Sequence, residues 1–583
     1  MIGLGRALSL YFCVMPYSFE PILQIGELCA QHGLAHAVLS PGSRNAPLTI
    51  AFVRHPRLHT YTVSDERSAA FIGLGLAQAT RQAVILACTS GSAGLNYAPA
   101  VAEAYFQQVP LLVFTADRPP EWVDQLDGQT IRQRGLFGPH VKAAYELPTD
   151  YAHPDARWQI GRIISEAINL ARAYPPGPVH INAPFREPFY PPPGYEIGSA
   201  PLPKLIRETT GKTSLAASNV ALLAKVIAQS AKILLVGGQS RIDPAICQSL
   251  AALPVPLVAD TIANLPPCIG KVKHSDLTLA RPEVREQLGQ PDLLITFGLS
   301  VLSKALKTYL RQQPPRVHWH LQAAGPVADT FQSLTDVIRV VPGDFLPLVS
   351  EWLAPSDLLA PARAAWLDQW QGLDRQLAPS LQTYLAQLDT GDGPLSELEV
   401  VVALLAHLAP ATQLHLANSM PVRYVNALDA INPGVEVFAN RGTSGIDGSV
   451  STAVGHALAD PDKLHVLLTG DLAFFYDRNG LWHNHLPANL RILVLNNHGG
   501  GIFRLIDGPK SLAESAEYFV TTQSLTAEAS AKDMGLRYLR LQDRAELHAQ
   551  LAHFLTPGGP AMLLEVETDH TVNERAWNGL KRI

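Results

Sequence analysis

The chain has 583 residues, of which 47% are hydrophobic and 16% are charged, and its formal net charge is −6. At roughly 100–200 residues per domain this length indicates three or four domains, and the low charge density is typical of a well-buried enzyme rather than of a disordered chain. The acidic balance excludes a nucleic-acid partner bound through a strongly basic surface.

The chain begins with an apolar segment, and we expect residues 1–16 to form an N-terminal extension. The segment lacks the small-residue cleavage site of a signal peptide and is too short to span a membrane. No later stretch is apolar for long enough to predict a membrane span. The five cysteines form no CxxC pair. They therefore predict neither a disulfide framework nor a zinc site, and they indicate a reducing compartment, which we expect to be the cytoplasm.

Short β-branched runs alternate with helical stretches, which is the pattern of parallel sheets covered by helices. We predict an α/β fold with three doubly wound parallel-sheet domains. The first domain covers residues 17–190, with strands in HAVLS, QAVILAC, VPLLVFTAD and GPVHINAPF. A Pro-rich linker follows. The central α/β domain covers residues 200–350, with strands in AKILLVGG, VPLVAD, PDLLITFG and VIRVVPGD.

Residues 351–395 predict a helical connection to a third domain at residues 396–583, whose strands lie in TQLHLANS, VEVFANRG, HVLLTGD, RILVLNN and AMLLEVE. The first and third domains have a similar strand rhythm but no repeat in sequence, so duplication is a hypothesis about topology alone. In open parallel sheets, ligands bind beyond the carboxyl ends of the strands. The polar and glycine-rich loops after these strands therefore predict one composite site.

Two strands of the third domain end in residues that suit a metal ion. Asp471 follows HVLLTG, Asn497 follows RILVLN, and glycines occupy positions 499–501. A carboxylate, an amide oxygen and a backbone carbonyl near Gly499 are the hard oxygen ligands that Mg²⁺ takes, and glycines let the backbone approach a phosphate closely. The same residues also suit an ordinary helix N-cap and turn. On this stretch alone, the two interpretations are equally good.

Glu66 begins a predicted helix in SDERSAAFIGLGLAQAT. A carboxylate in the first turn complements the helix dipole, which stabilises a helix by about 0.3–1 kcal/mol. Taken alone, this structural interpretation is the preferred one for Glu66.

The stretch from Gly470 to Asn497 resembles the signature of thiamine diphosphate (ThDP) enzymes, in which Gly-Asp-Gly is followed further along by Asn-Asn. Leu472 takes the place of the third signature residue. The resemblance implies that Mg²⁺ (or Mn²⁺) binds to Asp471, Asn497 and the carbonyl of Gly499. It also implies that Glu66, from a partner subunit, activates the aminopyrimidine ring of the cofactor.

Further strings narrow the resemblance to the family of 2-succinyl-5-enolpyruvyl-6-hydroxy-3-cyclohexene-1-carboxylate synthases of menaquinone and phylloquinone biosynthesis. They are SPGSRNAPL (40–48), DER (65–67), TADRPPE (115–121), GQTIRQ (128–133), ANSMPVR (417–423) and NRGTSGIDG (440–448). The resemblance runs from about residue 17 to the C-terminus. This family also carries Leu after Gly-Asp, but it often has a third Asn where this chain has His498. That departure lies next to the expected metal ligand Asn497.

The family's reaction releases CO₂ from 2-oxoglutarate and adds the succinyl unit to isochorismate by conjugate addition. Both substrates are dicarboxylates, which arginine binds in a bidentate manner. The resemblance implies substrate binding by Arg118, Lys304, Arg423, Arg441 and Phe503. It implies catalytic roles for Ser43, Arg44, Glu66 and Gln129. It implies cofactor contacts from Glu66, Ser419, Ser444, Gly445, Ile446, Gly470, Asn497 and Ile502. Each also has an ordinary interpretation, as a solvated cation, a turn residue or a core side chain.

The resemblance implies sites shared between subunits, and hence a homodimer or homotetramer. In the central domain Gly237 and Gly238 do not form a GxGxxG fingerprint, so we expect no FAD. One alternative is another ThDP-dependent 2-oxoacid decarboxylase or carboligase, which the additional strings disfavour. A second alternative is a non-catalytic relative that keeps the fold, which the intact Asp471, Asn497 and Glu66 disfavour. The motifs of serine hydrolases and P-loop proteins are not found in the sequence.

Overall fold

The computed structural model of the chain describes residues 19–151, 153–191, 204–251, 253–353, 358–389, 394–506 and 508–583. The expected N-terminal extension and most of the Pro-rich linker lie outside these ranges. None of the helices in the described ranges combines the length and apolar character that crossing a membrane requires.

The first domain is a parallel six-stranded sheet in the order β2-β1-β3-β4-β6-β5. Its strands are β1 (His36–Leu39), β2 (His59–Thr62), β3 (Val84–Cys88), β4 (Leu111–Asp117), β5 (Ala144–Glu146) and β6 (Val179–Pro184). Its helices are α1 (Glu20–Gln31), α2 (Ala46–Val53), α3 (Glu66–Thr80), α4 (Ser92–Asn96), α5 (Ala98–Phe106) and α6 (Pro154–Arg172). Strands β3 and β4 are buried on both faces because apolar side chains alternate between two hydrophobic cores.

The central domain is a parallel five-stranded sheet in the order β11-β10-β9-β7-β8. Its strands are β7 (Ile233–Gly237), β8 (Leu257–Ala259), β9 (Leu293–Phe297), β10 (Val317–Leu321) and β11 (Asp336–Ile338). Its helices are α7 (Ala217–Gln229), α8 (Pro244–Ala251), α9 (Ser275–Thr278), α10 (Pro282–Leu288), α11 (Lys304–Gln312) and α12 (Pro342–Trp352).

The predicted helical connection is the long helix α13 (Ala360–Asp389). Its first half packs on the central domain through Trp366 and Trp370. Its second half packs on the third domain through Leu377 and Leu381. The helix therefore packs against both the central and the third domain and connects them.

The third domain repeats the topology of the first, with a parallel six-stranded sheet in the order β13-β12-β14-β15-β17-β16. Its strands are β12 (Gln413–Leu416), β13 (Glu436–Phe438), β14 (His465–Gly470), β15 (Leu490–Asn496), β16 (Arg537–Leu541) and β17 (Met562–Glu567). Its helices are α14 (Glu397–His407), α15 (Met420–Leu428), α16 (Ser449–Ala459), α17 (Asp471–Asp477), α18 (Ile502–Leu505), α19 (Glu528–Asp533), α20 (Leu547–Phe554) and α21 (His570–Arg582). The three-domain parallel α/β architecture is thereby confirmed.

The first and third domains share one hydrophobic core, with helices α3 and α16 packed against each other at its centre. The two backbones touch at a pair of glycines. A Cβ added to Gly75 would lie 2.1 Å from the carbonyl oxygen of Thr452, and one added to Gly455 would lie 2.1 Å from that of Ile72. Only glycine allows so close a crossing, so the two domains are held together by backbone contact as well as by apolar burial.

Candidate active site

The expected metal ligands lie at the carboxyl edge of the third sheet, as their positions after neighbouring strands predict. Strands β14 and β15 pair in register, with Gly470 opposite Leu495. Asp471 begins α17 and is 2% exposed, and its carboxylate accepts a hydrogen bond of 2.7 Å from the side chain of Gln523. Burial raises the pKa of Asp471, while the bonds from Gln523 and from the backbone of Leu472 and Gly499 oppose the rise.

Asn497 presents an unused oxygen at the same edge. Its Nδ2 donates a 2.6 Å hydrogen bond to Glu397, while its buried Oδ1 has no hydrogen-bond partner among the described residues. A buried amide oxygen with no partner is an uncommon and costly arrangement. This oxygen is therefore available to a ligand that the described residues do not supply.

The glycines after Asn497 lie in a crowded turn. A Cβ added to Gly499 would lie 2.8 Å from Cγ1 of Val520, and one added to Gly501 would lie 2.7 Å from Nδ2 of Asn497. His498, where the family often has Asn, has a left-handed φ of 60°. Its Nδ1 is buried, and no residue in the described part of the chain forms a hydrogen bond with it. Beyond the turn, Ile502 and Phe503 begin α18 and are half-buried, with the ring of Phe503 6.0 Å from that of Phe519.

Ser419 and the loop 440–448 lie next to each other at the ends of β12 and β13. The side chain of Asn418 joins them, donating to the carbonyls of Asn440 (2.8 Å) and Gly445 (2.7 Å). Ser419 has a φ of +75° and Ser444 a φ of +64°. Such angles are costly for residues other than glycine and are found mainly at functional sites. Ile446 is half-buried in the same loop.

Glu103 of the first domain holds this loop. Its carboxylate, 1% exposed, accepts hydrogen bonds from the backbone of Gly442 (2.7 Å) and of Thr443 (2.6 Å) and from the hydroxyl of Thr443 (2.5 Å). The loop that carries Arg441 and Ile446 is thus fixed by a side chain from another domain.

Arg423 and Arg441 bring two positive charges together in a half-buried setting. Arg423 donates to the carbonyl of Ser419 (2.5 Å), and Arg441 donates to Oδ1 of Asn418 (2.7 Å). Within the described ranges, neither guanidinium forms an ion pair with a carboxylate. Burial lowers the pKa of Arg423, and the charge of Arg441 lowers it further. Burial also lowers the pKa of Arg441, against the opposing effect of Asp260.

The central domain contributes charged residues near Arg441. Lys304 is the exposed first residue of α11, and the preceding Ser303 caps the helix. Lys307, one turn further, is half-buried; burial lowers its pKa, and the charges of Asp260 and Arg441 act on it in opposite directions. Burial raises the pKa of Asp260 to about 6. The structure thereby places Lys307 of the central domain near Arg441.

The expected residues of the first domain lie at the carboxyl edge of its sheet. Glu66 is the first residue of α3, and its carboxylate accepts a 3.2 Å hydrogen bond from Asn96. Ser43 and Gln129 are exposed, and the turn at Gly91 packs against Gln129. Arg118 donates to the carbonyl of Gly128 (2.9 Å) in the same loop as Gln129.

The guanidinium of Arg44 is occupied within the first domain. The side chain is 7% exposed, donates to the carbonyl of Phe185 (2.8 Å) and lies 4.4 Å from the ring centre of Phe189. These contacts give Arg44 a structural role irrespective of any catalytic one.

Two cavities bear on where a ligand can bind. A cavity of about 540 Å³ opens where the three domains meet, next to Gln78, Arg172 and Arg241, and none of the expected site residues lines it. Asn497 borders a smaller one together with Glu397 and Tyr424. Neither cavity joins Glu66 to the Asp471 edge.

Sequence reasoning missed three residues of the site, Glu103, Glu397 and Gln523. Glu103 is the single acid in the apolar helix APAVAEAYF, a pattern that signals a buried carboxylate with a partner. Glu397 follows Ser396, which with Glu399 forms a capping box, so its position at a helix start was predictable. Nothing in the sequence marks Gln523.

Three family models of thiamine pyrophosphate (TPP) enzymes match the chain. Thiamine pyrophosphate is another name for ThDP. The N-terminal TPP binding domain matches residues 24–137, the middle domain residues 223–416, and the C-terminal TPP binding domain residues 422–565. Curated relatives named 2-succinyl-5-enolpyruvyl-6-hydroxy-3-cyclohexene-1-carboxylate synthase are similar over nearly their whole length. The protein of Cytophaga hutchinsonii is 41% identical over 97% of this chain and 98% of its own, and that of Porphyromonas gingivalis is 37% identical over 94% of each.

Proposed function

The chain belongs to the 2-succinyl-5-enolpyruvyl-6-hydroxy-3-cyclohexene-1-carboxylate synthase family of ThDP-dependent enzymes, and we propose a role in its reaction for each element of the site. The reaction is a carbon–carbon bond-forming transfer: CO₂ leaves 2-oxoglutarate, and the succinyl unit adds to isochorismate. The main support for dicarboxylate substrates is a pair of half-buried arginines, Arg423 and Arg441.

The residues at the third sheet fit a metal-bound diphosphate. The partnerless Oδ1 of Asn497 and the buried carboxylate of Asp471 are hard oxygen donors, and with the carbonyl of Gly499 they would hold Mg²⁺ or Mn²⁺. Gly470, Ser419, Ser444, Gly445, Ile446 and Ile502 would contact the cofactor. When bound, ThDP supplies the electron sink that makes the loss of CO₂ from a 2-oxo acid accessible. The protein's part is to orient it and exclude water.

Arg423 and Arg441 are suited to bind carboxylates of the substrates. Two like charges at half-buried positions repel each other and lose hydration, and among the described residues no carboxylate forms an ion pair with either. An added dianion would relieve both costs, and guanidinium forks bind carboxylates in a bidentate manner. We assign Lys304 and Arg118 to the same task, and Phe503 to packing against the apolar part of a substrate.

Glu66 would act on the cofactor of a second subunit. Its carboxylate lies at an exposed surface where the apolar side chains of Leu95 and Tyr476 are 49% and 54% exposed. Leu95 is adjacent to Asn96, the partner of Glu66, and the Tyr476 ring lies 4.7 Å below the guanidinium of Arg67. Such a surface favours burial against another protein. We therefore propose a homodimer or homotetramer with shared sites, in which Ser43, Arg44 and Gln129 would lie near the reacting atoms.

The first experiment follows 2-oxoglutarate consumption and product mass with purified protein, ThDP and Mg²⁺, with and without isochorismate. Consumption that depends on isochorismate and yields the succinyl-cyclohexene adduct supports the proposal. Consumption without isochorismate, yielding succinic semialdehyde or an acyloin, would instead favour a decarboxylase or carboligase. The cytoplasmic location expected from the free cysteines stays a prediction.

A hybrid-dimer experiment tests the shared site. Glu66→Gln and Asp471→Asn should each abolish turnover, and Glu66→Gln should still bind Mg-ThDP. If each site combines Glu66 of one chain with Asp471 of the other, randomly mixed chains regain one intact site in each hybrid dimer, or about a quarter of wild-type activity. Sites built within one chain would give no recovery, because every chain would then carry a defect in its own site.

A further inference from the structure

Glu397 contacts the expected metal ligand Asn497 but has no place in the reaction described above. It is 2% exposed, and its Oε1 accepts the 2.6 Å hydrogen bond from Nδ2 of Asn497. Its own backbone N–H donates to Oδ1 of Asn573 (2.8 Å). The negative charge of Asp471 is near enough to act on it. Burying one carboxylate near another destabilises the folded state. A function that requires Glu397 at this position would explain why the fold tolerates this cost.

Capping of α14 does not supply that reason. Ser396 accepts from the backbone of Glu399, and Glu399 accepts from the backbone of Ser396, which completes a capping box. Arg544 pairs with Glu399, and no cation of the described ranges forms an ion pair with Glu397. The helix start is therefore satisfied by residues other than Glu397.

The hydrogen bond has a consequence for the orientation of the Asn497 amide. An ionised carboxylate only accepts hydrogen bonds, whereas an amide donates at one end and accepts at the other. The amide presents Nδ2 to the accepting Oε1 of Glu397 at 2.6 Å, and opposite the ionised carboxylate the flipped orientation would set two acceptor oxygens against each other. Oδ1 then lies on the opposite side, where the described ranges offer it no hydrogen-bond partner.

We infer that Glu397 is a positioning residue, which fixes the amide of Asn497 with its oxygen toward the metal and thereby sets the affinity for the divalent cation. The inference rests on the proposed assignment of Asn497 as a metal ligand. Asp471 is held similarly, by the 2.7 Å bond from Gln523. Partners that orient metal ligands in this way typically change metal affinity by about 10–100-fold when they are removed. A glutamine at position 397 would accept either orientation of the amide, because it carries both a donor and an acceptor.

The test measures Mn²⁺ binding in the presence of ThDP by electron paramagnetic resonance, so that turnover is not the readout. Glu397→Gln should weaken Mn²⁺ binding by about 10-fold or more. Glu399→Gln is the matched control, since it makes the same change two residues along the same helix, at a side chain that does not contact Asn497. It should leave Mn²⁺ binding unchanged. Should Glu397→Gln fail to fold, Glu397→Asp, which withdraws the carboxylate by one methylene, carries the same expectation.

A double variant separates positioning from simple disruption. Once Asn497 is replaced by Ala, the substitution Glu397→Gln should weaken Mn²⁺ binding no further, because Glu397 acts through the amide. If Asn497→Ala and Asp471→Asn weaken binding while Glu397→Gln does not, the inference about Glu397 is wrong and the metal site stands. If neither of those ligand variants weakens binding, the proposed metal site and the inference fall together.

Discussion

Replacing Glu103 tests whether the first domain holds the substrate loop of the third domain in place. The carboxylate of Glu103 receives the backbone N–H groups of Gly442 and Thr443 at 2.7 and 2.6 Å, directly after Arg441 in the chain. Glu103→Gln keeps the shape of the side chain but replaces one acceptor oxygen with an NH₂ group. One of the two backbone N–H groups then faces a donor and loses its partner.

The expected magnitude follows from the cost of one buried, unpaired N–H. That cost is about 1–3 kcal/mol, and the loop can avoid it only by moving away from Glu103. If substrate binding requires the loop in its present position, the KM for isochorismate should rise by about 5–150-fold, the equivalent of that free energy. Glu103→Ala removes both acceptors and should have the larger effect.

The assay combines steady-state kinetics with amide hydrogen exchange of residues 440–448. The KM for isochorismate should rise, and the amides of Gly442 and Thr443 should lose protection. Glu166→Gln, at an exposed ion pair on α6, serves as the control and should change neither. An unchanged KM together with unchanged protection in Glu103→Gln would refute the idea that the domain contact positions the loop.

Three further predictions concern binding, packing and pH. Arg441→Gln should raise the KM for isochorismate by about 10–100-fold, from the loss of charge-assisted hydrogen bonds, and a KM within about twofold of wild type would contradict the binding role. Gly75→Val should lower the unfolding temperature markedly, because its Cβ would lie 2.1 Å from the Thr452 carbonyl oxygen, whereas Gly211→Val, which meets nothing within 4 Å, should not. Burial holds the pKa of His456 well below 6.5, so this histidine stays neutral in the folded state and the unfolded chain takes up its proton first as pH falls. When the pH is lowered from 7.5 to 5.5, the free energy of unfolding of wild type should therefore fall by about 1 kcal/mol more than that of His456→Gln. A difference between the two proteins that does not change with pH would contradict this.

All but one of the interior strands of the three sheets were predictable, because their residues are apolar on both faces. The strands that the sequence analysis missed were β2, β5, β10 and β16. Three of them lie at sheet edges, where one side of the strand meets solvent, and they read as HTYT, AYE and RYLRL. β10 is internal, but its two histidines obscured the apolar pattern of VHWHL.

The site was predictable where a residue follows a strand in a recognisable motif, as for Asp471 and Asn497. It was not predictable where function depends on a contact between distant parts of the chain. Glu397 meets Asn497 across 100 residues, and Glu103 meets Gly442 across 339. For Arg44, the motif predicted a catalytic role, but it could not predict that the guanidinium donates to the carbonyl of Phe185.

The crossing of α3 and α16 at their glycines has a consequence for synthesis of the chain. Helix α3 emerges from the ribosome long before its partner: α16 begins about 370 residues later, a delay of roughly 20–70 s at ordinary elongation rates of 5–20 residues per second. During that interval the face of α3 that packs against α16 is without its partner, while the central domain can complete its own sheet. Nascent chains stalled between the two helices should therefore recruit chaperones at α3, and release them once α16 is translated.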